Sequence, residues 1–109
     1  MAQGSDVQIT LEVDAIDLIP EALELARLGI LPAGMYRNRR FAEAGVDEGN
    51  TELAKQDLLY DPQTAGGLLM AVAPEDADAL FAELKTTVPS AQRIGNVAEY
   101  MGGKRIKLR

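Results

Sequence analysis

Six consecutive apolar residues, Leu68 to Ala73, lie between the pair Gly66-Gly67 and Pro74. A run this short, bounded by residues that break regular structure, predicts a strand buried on both faces. The segment behind it predicts a helix. Pro74 suits a first turn, and Glu75, Asp76 and Asp78 sit in or near it, where the helix dipole favours them. Ala77, Leu80, Phe81 and Leu84 recur at helical spacing and form its apolar stripe, and Val88-Pro89-Ser90 ends it. A strand leading into an amphipathic helix points to a layered fold, a sheet covered by helices.

The flanking segments extend that plan. Val7, Ile9, Leu11 and Val13 alternate with Gln8, Thr10 and Glu12, which predicts a half-buried strand over Val7 to Val13. A helix follows, with Pro20 in its first turn, Ala22, Leu25, Ala26 and Leu28 on its apolar face, and Gly29 closing it in a left-handed conformation. A loop is expected from Ile30 to about Asn38, then a short helix over Arg39 to Ala44. A polar surface loop is expected over Gly45 to Thr51, and another short helix over Glu52 to Leu59. Ile94 and Val97 mark a strand kinked at Gly95. Met101-Gly102-Gly103 predicts a tight hairpin into a last strand, Lys104 to Leu108. The unit from Leu68 to Val97 reads as a right-handed strand–helix–strand crossover. Together these predict an α+β class with a mixed or antiparallel sheet and helices packed on it. Residues 1–5 are expected to be an appended or disordered start, and 6–109 one α+β domain.

Composition narrows the chemistry. The 109 residues include no cysteine and no histidine, which excludes Ser-His-Asp and Cys-His catalysis, disulfides and the usual zinc sites. With 47% hydrophobic and 26% charged residues the chain is ordinary for a globular domain. No apolar run approaches a membrane span and the start lacks a secretory signal. The net charge of −6 argues against nucleic-acid and membrane partners.

Two segments carry candidate chemistry. In Asp61-Pro62-Gln63-Thr64-Ala65-Gly66-Gly67, paired glycines let backbone N–H groups approach a ligand, Thr64 offers a hydroxyl, and Asp61 can orient the loop or meet a cation. The alternative is a purely structural turn. No Lys-Ser/Thr follows the glycines, so the loop is not a P-loop. In Gly34-Met35-Tyr36-Arg37-Asn38-Arg39-Arg40, three arginines can fork around a phosphate or carboxylate. The alternative is a solvated loop with Asn38 capping the helix behind it. The basic residues of Lys104 to Arg109 read as a solvent face or a guarded sheet edge. The acidic residues read as helix starts and solvated faces, with no catalytic carboxylate pair.

Leu58-Leu59-Tyr60-Asp61-Pro62-Gln63-Thr64-Ala65-Gly66-Gly67-Leu68-Leu69 resembles the DPQTSGGLL signature of the selenide, water dikinase (selenophosphate synthetase) family. The resemblance extends to Val7–Gly29, to Leu31-Pro32-Ala33-Gly34 with Arg37-Asn38, and to Ile94-Gly95-Asn96-Val97, in the family's order. Ala65 stands where the family has serine, so no role for that hydroxyl carries over. Ala33 replaces a glycine.

The resemblance implies a fold like the C-terminal domain of aminoimidazole ribonucleotide synthetase, partly ferredoxin-like, with this chain as the later part of that domain and incomplete on its N-terminal side. It implies a parent enzyme, cytoplasmic, that makes selenophosphate, AMP and phosphate from selenide, ATP and water, for selenocysteine and selenium-modified tRNA. ATP and magnesium are the parent's cofactors, and its N-terminal ATP-binding domain is the implied partner. The family's reactive Cys or selenocysteine, its lysine, its magnesium-binding aspartates and its Asp-Val-Thr-Gly-Phe-Gly element have no counterpart in this sequence. The chain by itself is therefore expected to be catalytically silent, without cofactor, catalytic residue or metal ligand of its own. Asp61, Thr64, Gly66 and Gly67, with Asn38, are the expected cleft-lining residues. The alternative function is a non-catalytic interaction module that forms homo-oligomers through uncovered apolar surface.

Overall fold

The structure is a computed structural model that describes all residues 1–109. Four strands form one sheet: β1 (Val7–Leu11), β2 (Val46–Asp47), β3 (Gly95–Glu99) and β4 (Ile106–Leu108). Four helices accompany them: α1 (Ala22–Arg27), α2 (Ala33–Ala42), α3 (Leu53–Leu59) and α4 (Pro74–Thr87). The strand order is β2-β4-β1-β3. β1 runs antiparallel to β3 and parallel to β4, and β4 runs parallel to β2. The sheet is mixed and the class is α+β, as the sequence indicates. No helix is long and apolar enough to cross a membrane.

β1 is central because its alternation presents Ile9 to the core while backbone groups on both edges find partners. Ile9 N–H donates to Arg105 O at 2.8 Å on the β4 side. Glu12 N–H, just past the strand, donates to Ile94 O at 2.8 Å on the β3 side. Ile9, Val13 and Leu108 from the sheet region, with Ala26, Met35, Ala54 and Tyr60 from the helical segments, are the main buried groups. Met35 alone among large side chains is wholly enclosed. Only ten of the 109 residues are buried, so much apolar surface stays uncovered. Arg27 joins α1 to α3 by forking onto Glu52, Nε to Oε1 at 2.7 Å and Nη2 to Oε2 at 3.0 Å.

Several expectations need correction. Leu68 to Ala73 is neither a strand nor buried: Leu68 is 91% exposed, and Leu69, Met70 and Val72 are exposed too. Apolarity predicts burial, but a strand also needs a ladder partner, and this segment pairs with none of the four strands. The crossover from Leu68 to Val97 accordingly does not form. The stripe of α4 is placed correctly, yet Ala77, Leu80, Phe81 and Leu84 are only half-buried.

The final hairpin is also absent, because β1 lies between β3 and β4. The connection must span about 10 Å, two strand spacings. Gly102 and Gly103, at φ +99° and +79°, turn it over the start of β1. Arg105 secures it by stacking on Tyr100, 3.6 Å from the ring centre, and by pairing with Asp6 at 2.8 Å. β4 is thus an inner strand rather than an edge, and Arg109 pairs with Asp47 at 2.6 Å instead of facing solvent alone.

The remaining differences are local. β1 ends at Leu11, and Val13 begins a short 3-10 turn. Pro20 precedes α1 rather than opening it, while Gly29 does close that region at φ +75°. α2 starts at Ala33, five residues before the loop was expected to end. β2 falls inside the expected surface loop. Residues 1–6 form turns, with Ser5 N–H donating to Met1 O at 3.0 Å and Ala2 buried.

Gly95 marks the tightest approach in the sheet. A Cβ there would lie 1.9 Å from Thr10 O, inside the β1–β3 ladder. Gly95→Ala should therefore force β3 off β1. A loss of about 2–3 kcal/mol is expected in urea denaturation, with faster amide exchange at Val97.

Candidate functional site

The two candidate motifs are distant in sequence but meet at one place. Asn38 sits on α2, one turn beyond Gly34, and its Nδ2 donates to Tyr60 O at 2.9 Å. Gly34 lies directly against Pro62: a Cβ on it would come within 2.7 Å of Pro62 Cγ. This face of α2 therefore holds the root of the Asp61–Gly67 loop. Asn38 does not cap a helix, because α2 begins five residues before it.

Two short bonds stiffen the loop at its start. Asp61 N–H donates to Leu58 O at 3.2 Å, and Gln63 N–H donates to Asp61 O at 3.0 Å. Asp61 is half-buried, whereas Pro62 to Gly67 are exposed. The structure thus brings Asn38 to the base of the loop carrying Asp61, Thr64, Gly66 and Gly67. Thr64, Gly66 and Gly67 face solvent with no wall opposite them.

The arginine cluster divides. Arg39 turns inward and contacts Asp57 at 3.1 Å, Gln56 Oε1 at 2.9 Å and Glu48 at 3.8 Å. Its guanidinium also lies 5.2 Å from the centre of the Tyr60 ring, and its Nε is buried without an acceptor. Arg37 and Arg40 turn outward. The sequence treated the three as one group. Helical spacing separates them once α2 is known to start at Ala33, since Met35, Arg39 and Ala42 then share the inner face.

Arg39 is a structural member of the site, a role that its grouping with Arg37 and Arg40 in the sequence did not reveal. It braces Asp57 and Gln56 of α3 while the backbone of Tyr60, immediately beyond that helix, receives Asn38. Burial, and secondarily the Glu48 carboxylate, pushes the Tyr60 hydroxyl above the ordinary tyrosine value of 10.0.

A separate open groove lies beside β2 and α3, lined among others by Asp14, Asp47, Thr51, Glu52, Lys55 and Arg109. Its charges neutralise one another. Arg109 bonds to Asp47 and lowers its carboxyl pKa, Arg27 does the same to Glu52, and Lys55 pairs with Asp14. None of the five cleft-lining candidates lines this groove. No group of three or more Asp or Glu side chains stands close enough to hold a metal ion on its own.

Residues 1–106 match the family described as AIR synthase related protein, C-terminal domain. The chain belongs to that family. Among curated proteins the domain is similar to the selenide, water dikinase of Clostridioides difficile (strain 630), at 44% identity over 99 residues. That match covers 89% of this chain and 28% of the relative. The selenide, water dikinase of Pelobacter propionicus is 50% identical over 82 residues, covering 73% of this chain and 24% of the relative. That of Escherichia coli O139:H28 is 40% identical over 108 residues, covering 95% and 29%. The resemblance carried by the DPQTAGG segment is thus borne out, and the domain spans under a third of the length of these relatives.

The raised Tyr60 value fixes a sign for stability. The folded state holds the phenolic proton more tightly than the unfolded chain does. The associated stability is intact below pH about 10 and is lost as pH rises through the folded value. The urea midpoint should therefore fall at alkaline pH, and Tyr60→Phe should show a visibly flatter alkaline limb over the same range.

Proposed function

We propose that this domain works within a selenide, water dikinase, an ATP- and magnesium-dependent enzyme that converts selenide to selenophosphate. The observation that carries this reading is identity of 36–50% to dikinases over most of the chain. In that reading the Asp61–Gly67 loop lines the cleft against an ATP-binding domain supplied elsewhere in the enzyme. Its root is fixed by Asn38 and Gly34, while its tip is free to meet a ligand. A rigid root with exposed backbone donors suits positioning, which carries much of phosphoryl-transfer catalysis.

In this reading the domain alone is catalytically silent. It has no cysteine and no histidine, so the usual nucleophile and general base are lacking. It contributes binding geometry, and the reacting groups come from the rest of the enzyme in the cytoplasm. Thr64→Ala and Gly67→Ala, placed in a full-length dikinase carrying this domain, should each lower kcat/KM for selenophosphate formation by about tenfold or more. Unchanged turnover in both variants would remove the loop from the site.

A second reading has its own support. Leu68, Leu69, Met70 and Val72 are exposed in succession, and β3 is an edge strand whose residues are all exposed. Such surface favours self-association. Sedimentation of the 109-residue chain across a concentration series should show a growing dimer or larger species, diminished by Leu68→Asp. A strictly monomeric chain at high concentration overturns this second reading.

A further inference from the structure

Five of the seven arginines have a carboxylate within 4.0 Å: Arg27, Arg39, Arg93, Arg105 and Arg109. Arg37 and Arg40 have none, and neither donates a hydrogen bond to any protein group. This occurs in a chain with 17 acidic residues against 11 basic ones. The two guanidiniums stand one turn apart on the outer face of α2, where like charges at that spacing repel.

Arg37 also lies at the root of the glycine loop. Its Nη2 is 3.6 Å from the point above Gly34 where a Cβ would sit, and Pro62 Cγ is 2.7 Å from that same point. Thr64 follows Pro62 by two residues, within about 7 Å of chain reach. The backbone N–H groups of Thr64, Ala65, Gly66 and Gly67 donate to no acceptor in the protein. An unpaired guanidinium therefore stands at the root of a loop that carries a run of unused amide donors, with the second unpaired guanidinium one turn along the same helix.

We infer that Arg37, supported by Arg40, and the amides of Thr64 to Gly67 form a binding site for a phosphate group. The donor count decides the class. A guanidinium fork and several amides exceed what a carboxylate's two oxygens accept, while a phosphate offers three or four oxygens and up to two negative charges. The second charge also relieves the repulsion between Arg37 and Arg40. Phe41, 91% exposed and one turn beyond Arg37, leaves an apolar surface beside the site. The inference rests on the reading of the loop as a ligand-facing element. It does not require turnover, so binding by this chain and activity of a full-length enzyme can fail separately.

The test is a titration of the nitrogen-15-labelled 109-residue chain at low ionic strength, where exposed charge pairs are least screened. One arm uses sodium orthophosphate, one uses AMP, and sodium chloride at matched ionic strength is the control. Saturable shifts are expected at the Thr64–Gly67 amides and at Arg37 Nε, absent with chloride. Arg37→Ala should weaken binding about tenfold, and Arg37→Lys should restore part of it. Both variants should keep the wild-type melting temperature, because Arg37 has no protein partner to lose. Tighter binding of AMP than of orthophosphate assigns the site to a nucleotide's phosphate, and equal binding assigns it to the free ion. Shifts that do not saturate, that chloride reproduces, or that persist at full affinity in Arg37→Ala overturn the inference.

Discussion

The structure depends on the double ladder of β1. Its five residues, Val7 to Leu11, pair with β3 on one edge, Ile9 to Leu11 pair with β4 on the other, and β4 in turn carries β2. β1 alone links β3 to the β4–β2 pair. The burial of Ile9, together with Val13 and Leu108 nearby, adds the apolar contribution. With few buried residues available, the backbone ladder takes a larger share in defining the architecture than it does in a domain with a deep core.

Much of this was readable from residues. The alternation of Val7 to Leu11 located the central strand, and Glu52 to Leu59 and Pro74 to Thr87 were correctly expected as helices. Other features could not be read, for physical reasons. β2 is two residues long, too short to show a period, and exists because β4 offers it a partner. α2 begins with Ala33-Gly34 after Pro32, and glycine there disguises a helix start that packing against Pro62 requires. Strand order is a long-range property. The double glycine at 102 and 103 resembles a hairpin turn but makes a wider bridge over β1.

The candidate site was legible in its parts and not in its assembly. Asp61 to Gly67 was identifiable from composition, and its family resemblance held. The arginines at 37, 39 and 40 were identifiable as a cluster, but only the helix phase separates a bracing Arg39 from two outward cations. Asn38 was expected near a ligand and serves first as the tie between α2 and Tyr60. That tie is how the two motifs come to border the same surface.

The pairing of Ile9 with Ile106 bears on how the domain is born. A ribosome delivers β1 well before the neighbours on both of its edges, β3 and β4, which begin at Gly95 and Ile106. Until both segments emerge the strand must wait unpaired on either edge, or be shielded by the helices that emerge between. Contacts so remote along the chain make folding slow, because the whole intervening loop must be ordered before the sheet's middle can close. Synthesis halted before Gly95 would leave a nascent chain with helices but no partner for β1, and that is the state in which such a sequence is most exposed to chaperones and to its own kind.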